Sequence, residues 1–169
     1  MSKHDFYEQE FIDRRARVRS AIAAAGLDCL LVFHPVSIHW LTGSDAKSYQ
    51  EFQCLVIGTR SDDVVVFTRE GERNEFHDDA IVDRIDSWGG GVAEDPIEAF
   101  SRFAESLELF SQRVGMEVPP YYLHPHHYVR VKQLMGSALV SEPTNLIHDL
   151  KLVKSPAEQA YIRQAAQRA

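Results

Sequence analysis

The residues whose types and spacing could do chemistry are concentrated in one short run, His124-Pro125-His126-His127. Imidazoles are common zinc ligands, but zinc sites combine them with further Cys or His at set spacing. No such partner set follows, and neighbouring His residues at a helix start point in different directions. The run is therefore interpreted as a polar turn. The same argument makes His77-Asp78-Asp79 a solvated helix face.

Other catalytic signatures are missing from the sequence. Gly89-Gly90-Gly91 could cradle a phosphate, but no Lys-Ser/Thr follows and no G-x-G-x-x-G opens a helix. No G-x-S-x-G indicates a hydrolase nucleophile. The first apolar run, Cys29 to Phe33, carries no carboxylate for metal ions. We therefore assign no catalytic residue, no metal ligand and no cofactor to this segment.

Composition narrows the class of protein. The chain has 169 residues, 44% of them hydrophobic, and a net charge of −7. This acidic balance argues against nucleic acid and anionic membranes as partners, since both favour basic surfaces. The polar N-terminus does not resemble a signal peptide. Cys29 and Cys54 lie in apolar runs and are expected to be buried thiols, which fits a reducing, cytoplasmic location.

The elements that must position any site begin with a helix over residues 7–25, ended by Gly26. Its four arginines are expected to form a solvated face. Cys29 to Phe33 is a continuous apolar run, typical of a central strand covered on both faces. Pro35 ends this strand, and Val36 to Gly43 is expected to form a short helix. The arginines are Arg14, Arg15, Arg17 and Arg19.

The middle and second half alternate between strand and helix patterns. A loop is expected over residues 44–52, and the four-residue link between the next two apolar runs predicts an antiparallel hairpin. An acidic N-cap followed by Pro, Asp95-Pro96, predicts a helix whose buried stripe includes Phe103 and Phe110. The further expected elements are strands 53–58, 63–68, 81–88 (an edge strand), 113–118 and 137–141, with helical segments 70–80, 125–135 and 144–150.

This alternation favours an α/β fold, a mixed β-sheet with helices on both faces. The tail adds a capping box with Pro at the first helical position, Ser155-Pro156-Ala157-Glu158. The helix that starts there has no stop signal before Ala169, so we expect the chain to be part of something longer.

Two motifs resemble the creatinase/prolidase family. Gly26 to Gly43 contains Ser37-Ile38-His39-Trp40-Leu41-Thr42-Gly43, which is similar to the family's Asn-Ile-x-Tyr-Leu-Thr-Gly. Leu150 to Glu158, followed by Ile162-Arg163-Gln164-Ala165, is similar to the family's linker, roughly Arg-x-Ile-Lys-Ser-Pro-x-Glu and then Ile-Arg-x-Ala. Lys151 or Leu152 stands in place of the usual Arg.

The resemblance implies a ribonuclease-H-like N-terminal domain over residues 1–150. Residues 151–169 would be the linker and the first helix of a C-terminal catalytic domain with a pita-bread fold. In the family that second domain holds two metal ions (Mn, Co or Zn) through two Asp, one His and two Glu, except in creatinase, which uses no metal. The N-terminal domain is non-catalytic, builds a dimer or tetramer and, in several members, lends a loop to the partner's active site.

By position that loop would be Ser44 to Gln53. Its candidate substrate residues are Tyr49, for apolar stacking, and Glu51, for an ion contact with a cationic group. An ordinary surface loop is the alternative. Trp40 and Phe52 are expected in the core, and His39 as a structural histidine.

Three functions remain open at this point. The first is the oligomerisation and substrate-gating domain of an Xaa-Pro dipeptidase or aminopeptidase. The second keeps the family but has a small zwitterion such as creatine or ectoine as substrate. The third is a stand-alone α/β interaction module without catalysis.

Overall fold

The computed structural model describes residues 5–46 and 51–168. Six strands form one mixed sheet in the order β4-β3-β2-β1-β5-β6. The strands are β1 (Cys29–Val32), β2 (Cys54–Gly58), β3 (Val64–Arg69), β4 (Arg84–Trp88), β5 (Val114–Met116) and β6 (Leu139–Ser141). The predicted hairpin is present, because β2 pairs antiparallel with both β1 and β3. The pairs β1–β5, β3–β4 and β5–β6 are parallel. Because β4 is the first strand in the order, it is an edge strand, as predicted.

Helices cover both faces of the sheet, which confirms the predicted fold class. Leu30 and Val32 of β1 point into one core, whereas Cys29 and Leu31 point into the other. The first core is closed by α1 (Glu8–Ala24), α2 (Pro35–Thr42), α3 (Arg73–Asp79) and α6 (Leu146–Leu152). The second is closed by α4 (Pro96–Ser106) and α5 (Pro125–Met135). In the described ranges no helix is long and apolar enough to cross a membrane.

The predicted cap of α4 is confirmed and its predicted stripe is partly wrong. The Asp95 carboxylate accepts hydrogen bonds from the backbone N–H of Ile97 and Glu98 at 2.9 and 3.0 Å. Phe103 is buried, but Phe110 is 41% exposed. Because α4 ends at Ser106, the helical periodicity that placed Phe110 inward no longer applies there.

The predicted solvated arginine face of α1 is wrong. Arg14 and Arg15 are only 2% and 8% exposed. Arg14 Nη1 donates to the Trp40 carbonyl and Arg15 Nε to the Leu41 carbonyl, both at 3.0 Å. These carbonyls lie in the last turn of α2, where no intrahelical donor is available.

Arg17 and Arg19 play the same part further along α1. Arg17 Nη2 donates to the Leu150 carbonyl in the last turn of α6 at 2.9 Å. Arg19 Nε donates to the Gly58 carbonyl at the end of β2 at 3.1 Å. The arginine run therefore stabilises the ends of neighbouring elements, and burial lowers the pKa of the Arg14 and Arg15 guanidiniums.

The last helix, α7 (Pro156–Arg168), is joined to the domain through its capping box. Glu158 N donates to Ser155 Oγ at 3.1 Å, and Ser155 N donates to Glu158 Oε2 at 2.8 Å, as the sequence predicts. Glu158 Oε1 also accepts from Arg14 Nη2 at 3.0 Å and from Trp40 Nε1 at 2.7 Å. One carboxylate therefore fixes the start of α7 to both α1 and α2.

Replacing Arg14 with Met should lower the free energy of unfolding by roughly 3 kcal/mol, since it leaves buried partners of the guanidinium without a donor. Urea unfolding measures the change. Arg168→Met is the matched control, because Arg168 is exposed and the charge change is identical. Equal effects of the two substitutions, both within about 0.5 kcal/mol, would restore the solvated-face interpretation.

Candidate functional site

The predicted loop opens at one edge of the sheet. The carboxyl ends of β1, β3 and β5 lie at this edge, because β1 and β5 are parallel and β3 is separated from β1 by the antiparallel β2. The start of β2 lies there for the same reason. We call it the carboxyl edge. Residues that follow β1 and β5, and the segment that precedes β2, therefore meet there.

The entrance of the loop is built by α2. His34 caps this helix, with Val36 N donating to His34 Nδ1 at 3.2 Å. Gly43 follows the last turn with a φ of 77°, a left-handed conformation that glycine adopts without strain. Ser44 is 1% exposed and its hydroxyl accepts a hydrogen bond from Ala46 N at 3.1 Å. The chain thus enters the loop from a fixed position.

The return of the loop is fixed by Phe52, which is 2% exposed. Its ring lies 5.3 to 5.6 Å from those of Phe33, Phe100 and His127. Trp88 Nε1 donates to the Phe52 carbonyl at 2.8 Å. Both ends of the loop are therefore anchored in buried structure. The predicted core positions of Phe52 and Trp40 are confirmed, since Trp40 is 6% exposed.

Of the two candidate substrate residues, the structure describes Glu51 but not Tyr49. Tyr49 lies outside the described residues, so its proposed stacking role stays a prediction. Glu51 lies at the return of the loop, where Arg69 Nη1 donates to its Oε1 at 2.6 Å. The side chains of Glu51 and Arg69 are 28% and 51% exposed, so the pair is accessible from solvent.

The histidines near this edge have structural contacts. His39 Nδ1 lies 3.1 Å from the Ser44 carbonyl and 3.4 Å from Asp45 Oδ1, so it contributes to the entrance of the loop. His124 Nδ1 accepts from His126 N at 3.1 Å, which caps α5. His127 packs on Phe52, and burial together with the neighbouring His124 and His126 lowers the pKa of its imidazole.

The family resemblance implies metal ions in a second domain, not at these residues. Across residues 5–46 and 51–168, no group of three or more His, Cys, Asp or Glu side chains could hold a metal ion. The donor set of the described residues therefore does not fit a metal ion.

Sequence reasoning missed the acidic residue at the end of β5. Glu117 is 7% exposed and follows Met116 at the carboxyl edge. Its carboxylate accepts from Ser37 Oγ at 2.9 Å and from His34 N at 3.2 Å. The available signal was an acid placed directly after a short apolar strand, but its partners are 80 or more positions away in the chain.

Comparison with known proteins settles the family. A sequence model of the creatinase/prolidase N-terminal domain matches residues 14–153, most of the chain. The chain belongs to this family. The match includes the anchored loop, Glu117 and α6, and it ends just before the capping box of α7.

Similar proteins are considerably longer than this chain. It is 24% identical to the ectoine hydrolase of Halomonas elongata, over 95% of this chain and 42% of that protein. An uncharacterized hydrolase/peptidase of Sinorhizobium fredii is 25% identical over the same shares. The chain thus spans about two fifths of the curated relatives it matches.

Solved structures share the fold. An Xaa-Pro dipeptidase from Bacillus anthracis superposes with a TM-score of 0.72 at 18% identity, covering 93% of this chain and 40% of the other. Dipeptidase PepE from Mycobacterium ulcerans gives 0.71 at 21% identity, with 92% and 40% covered. An Xaa-Pro aminopeptidase chain from Streptococcus thermophilus gives 0.60 at 18% identity, and here 83% of this chain covers 98% of that one.

A double-mutant cycle of Glu51→Gln and Arg69→Gln should give a coupling free energy of about 0.2 to 1 kcal/mol, because the ion pair is partly solvated. Urea unfolding at low and high salt measures it, and salt should reduce it. Coupling above about 2 kcal/mol that salt leaves unchanged would contradict a solvated pair.

Proposed function

We propose that this chain is the non-catalytic N-terminal domain of a two-domain hydrolase of the Xaa-Pro dipeptidase or aminopeptidase type. The observation that carries the proposal is the family match together with the coverage of relatives. The aligned region covers 95% of this chain but only 42% of the ectoine hydrolase and of its Sinorhizobium relative. A second domain would hold the catalytic residues and any dinuclear Mn, Co or Zn site.

The α7 helix supports the presence of such a second domain. None of its described side chains is buried, and Tyr161 and Ile162 are 47% and 53% exposed. Just before it, Leu152 and Val153 are 64% and 71% exposed. An apolar surface on a helix whose start is fixed by Glu158 suits attachment to a further part of the same protein. Residues 151–169 would thus be the linker and the first catalytic-domain helix.

The anchored loop supports the gating role. A loop that delivers side chains to another active site needs ends that do not move, since small displacements weaken binding and catalysis. Ser44 and Phe52 provide such ends. In a homodimer, residues 44–53 of one subunit would approach the active site of its partner. The substrate bound there would be a dipeptide or another small molecule.

A second candidate is hydrolysis of a small zwitterion, as in a creatinase or ectoine hydrolase. It is favoured by the 24% identity with a protein named ectoine hydrolase. A third is a stand-alone interaction module of this fold. It is favoured by the Streptococcus thermophilus chain, which this domain covers almost completely. The coding sequence beyond Ala169 separates the module from both hydrolase proposals, because a stop codon there would leave only the module.

The full-length protein should hydrolyse Xaa-Pro dipeptides, and Mn or Co should restore the activity after chelation, because metal ions held by the second domain would supply the Lewis-acid chemistry for amide hydrolysis. Release of the free amino acids measures dipeptide hydrolysis, and parallel assays measure the consumption of ectoine and of creatine. The 169-residue chain alone is the control and should be inactive. Turnover of ectoine or creatine with no cleavage of Xaa-Pro dipeptides would replace the leading proposal by the second one.

In the full-length enzyme, Tyr49→Ala and Glu51→Ala should raise KM by roughly tenfold each, the loss expected for about 1.4 kcal/mol of binding. Steady-state kinetics on the preferred substrate measure this. Tyr121→Ala is the control for Tyr49, because Tyr121 is 73% exposed on another loop.

Arg69→Ala separates a direct role of Glu51 from an indirect one. If Glu51 binds substrate, Arg69→Ala should leave most of the affinity intact, since the carboxylate remains in place. Identical losses in Glu51→Ala and Arg69→Ala would mean that the ion pair only shapes the loop. Unchanged kinetics in all the loop variants would make residues 44–53 an ordinary surface loop.

A further inference from the structure

A second feature of the carboxyl edge lies between β1 and β5. After β1 the chain enters α2, which packs in one core, whereas after β5 it leads to α5, which packs in the other. Two adjacent parallel strands whose connections diverge to opposite faces leave a crevice beyond their carboxyl ends. In open α/β sheets this is where ligands usually bind.

The crevice contains a cavity of about 260 Å³. Small-molecule sites commonly measure about 300 to 1,000 Å³, so this cavity suits an occupant of amino-acid size or smaller. One wall is apolar and rigid, formed by Val118, Pro119, Pro120 and Pro143. The rest of the lining is polar and comes from three separate parts of the chain, and we call it the polar wall.

Four residues of the polar wall form a connected hydrogen-bond network. Lys151 Nζ, on α6, donates to Ser37 Oγ at 3.1 Å, and Ser37 Oγ donates to Glu117 Oε1 at 2.9 Å. The second oxygen of Glu117 accepts from His34 N. In the described part of the chain, the bond from Lys151 to Ser37 uses one of the three protons of the Lys151 ammonium group. The Glu117 carboxylate, in contrast, has a protein donor on each oxygen.

The donor groups at the cavity favour an anion. The Lys151 ammonium and the imidazoles of His34 and His148 line it, and Glu117 is the single acid in the lining. The nearby Glu142 pairs with Lys132, which is outside the cavity wall. Burial lowers the pKa of the Lys151 ammonium, and Lys151 and His148 add to the effect of burial in lowering the pKa of His34. Burial is the largest cause of both shifts, and the Glu117 carboxylate opposes the shift of the Lys151 pKa.

We propose that this cavity binds a small carboxylate, with the carboxylate group against Lys151 and His148 and the carbon skeleton against the proline wall. A carboxylate fits because its two oxygens accept several hydrogen bonds in a small volume and can pair with the unused donors of the cavity. The site is distinct from the loop at residues 44–53 and does not depend on the proposed function, because it consists wholly of residues of this chain.

The test is an NMR titration of the ¹⁵N-labelled 169-residue chain with sodium acetate, sodium phosphate and, as a salt control, sodium chloride at equal ionic strength. Acetate should cause saturable amide shifts at Ser37, Glu117 and His148. Lys151→Gln and His148→Asn should each weaken acetate binding roughly tenfold, the loss expected for one charge-assisted hydrogen bond. Lys154→Gln is the matched control, since Lys154 is exposed outside the cavity and should leave binding unchanged.

Three results would overturn the proposal. The first is the absence of saturable shifts with acetate. The second is equal weakening by Lys151→Gln and Lys154→Gln, which would indicate non-specific attraction to positive charge. The third is saturable binding of phosphate but not of acetate, which would assign the cavity to another anion. His148→Asn keeps the test valid if Lys151→Gln disturbs the fold, because the His148 residue is exposed and its substitution should not disturb the core.

Discussion

The structure depends on the burial of β1 on both of its faces. All four of its residues are buried, and they alternate between the two cores of the domain. A one-residue shift in the pairing of this strand would exchange every side chain between these cores, so its register is strongly determined. Since β1 pairs antiparallel with β2 and parallel with β5, it also determines which chain segments emerge together at the carboxyl edge.

The carboxyl edge brings together the two candidate ligand-binding features described above. The loop over residues 44–53 leaves from α2 and returns through Phe52, and the cavity at Glu117 opens between the diverging connections of β1 and β5. The arginines of α1 stabilise this arrangement, because they donate hydrogen bonds to the carbonyls at the ends of α2 and α6. The family match covers this whole unit, while the exposed surface of α7 lies beyond it.

Local patterns in the sequence were sufficient for most of the fold. The apolar run from Cys29, the Asp95-Pro96 start and the Ser155–Glu158 capping box each depend on residues close in the chain, and all three are present. The burial of Arg14 could not be predicted from local patterns, because its acceptor, the Trp40 carbonyl, is 26 positions away in the sequence. Glu117 was missed for the same reason, since Ser37 is 80 positions distant. The positions of long polar side chains depend on partners that are distant in the sequence, and helical periodicity carries no information about such partners.

The central claim is that the carboxyl edge of this domain faces an active site that the domain itself does not provide. A crystal structure of the full-length protein tests it most directly. The account predicts that residues 44–53 of one subunit lie against the catalytic residues of its partner, with α7 continuing into the second domain. A full-length structure in which the carboxyl edge of every subunit faces bulk solvent, far from any catalytic residue, would contradict it.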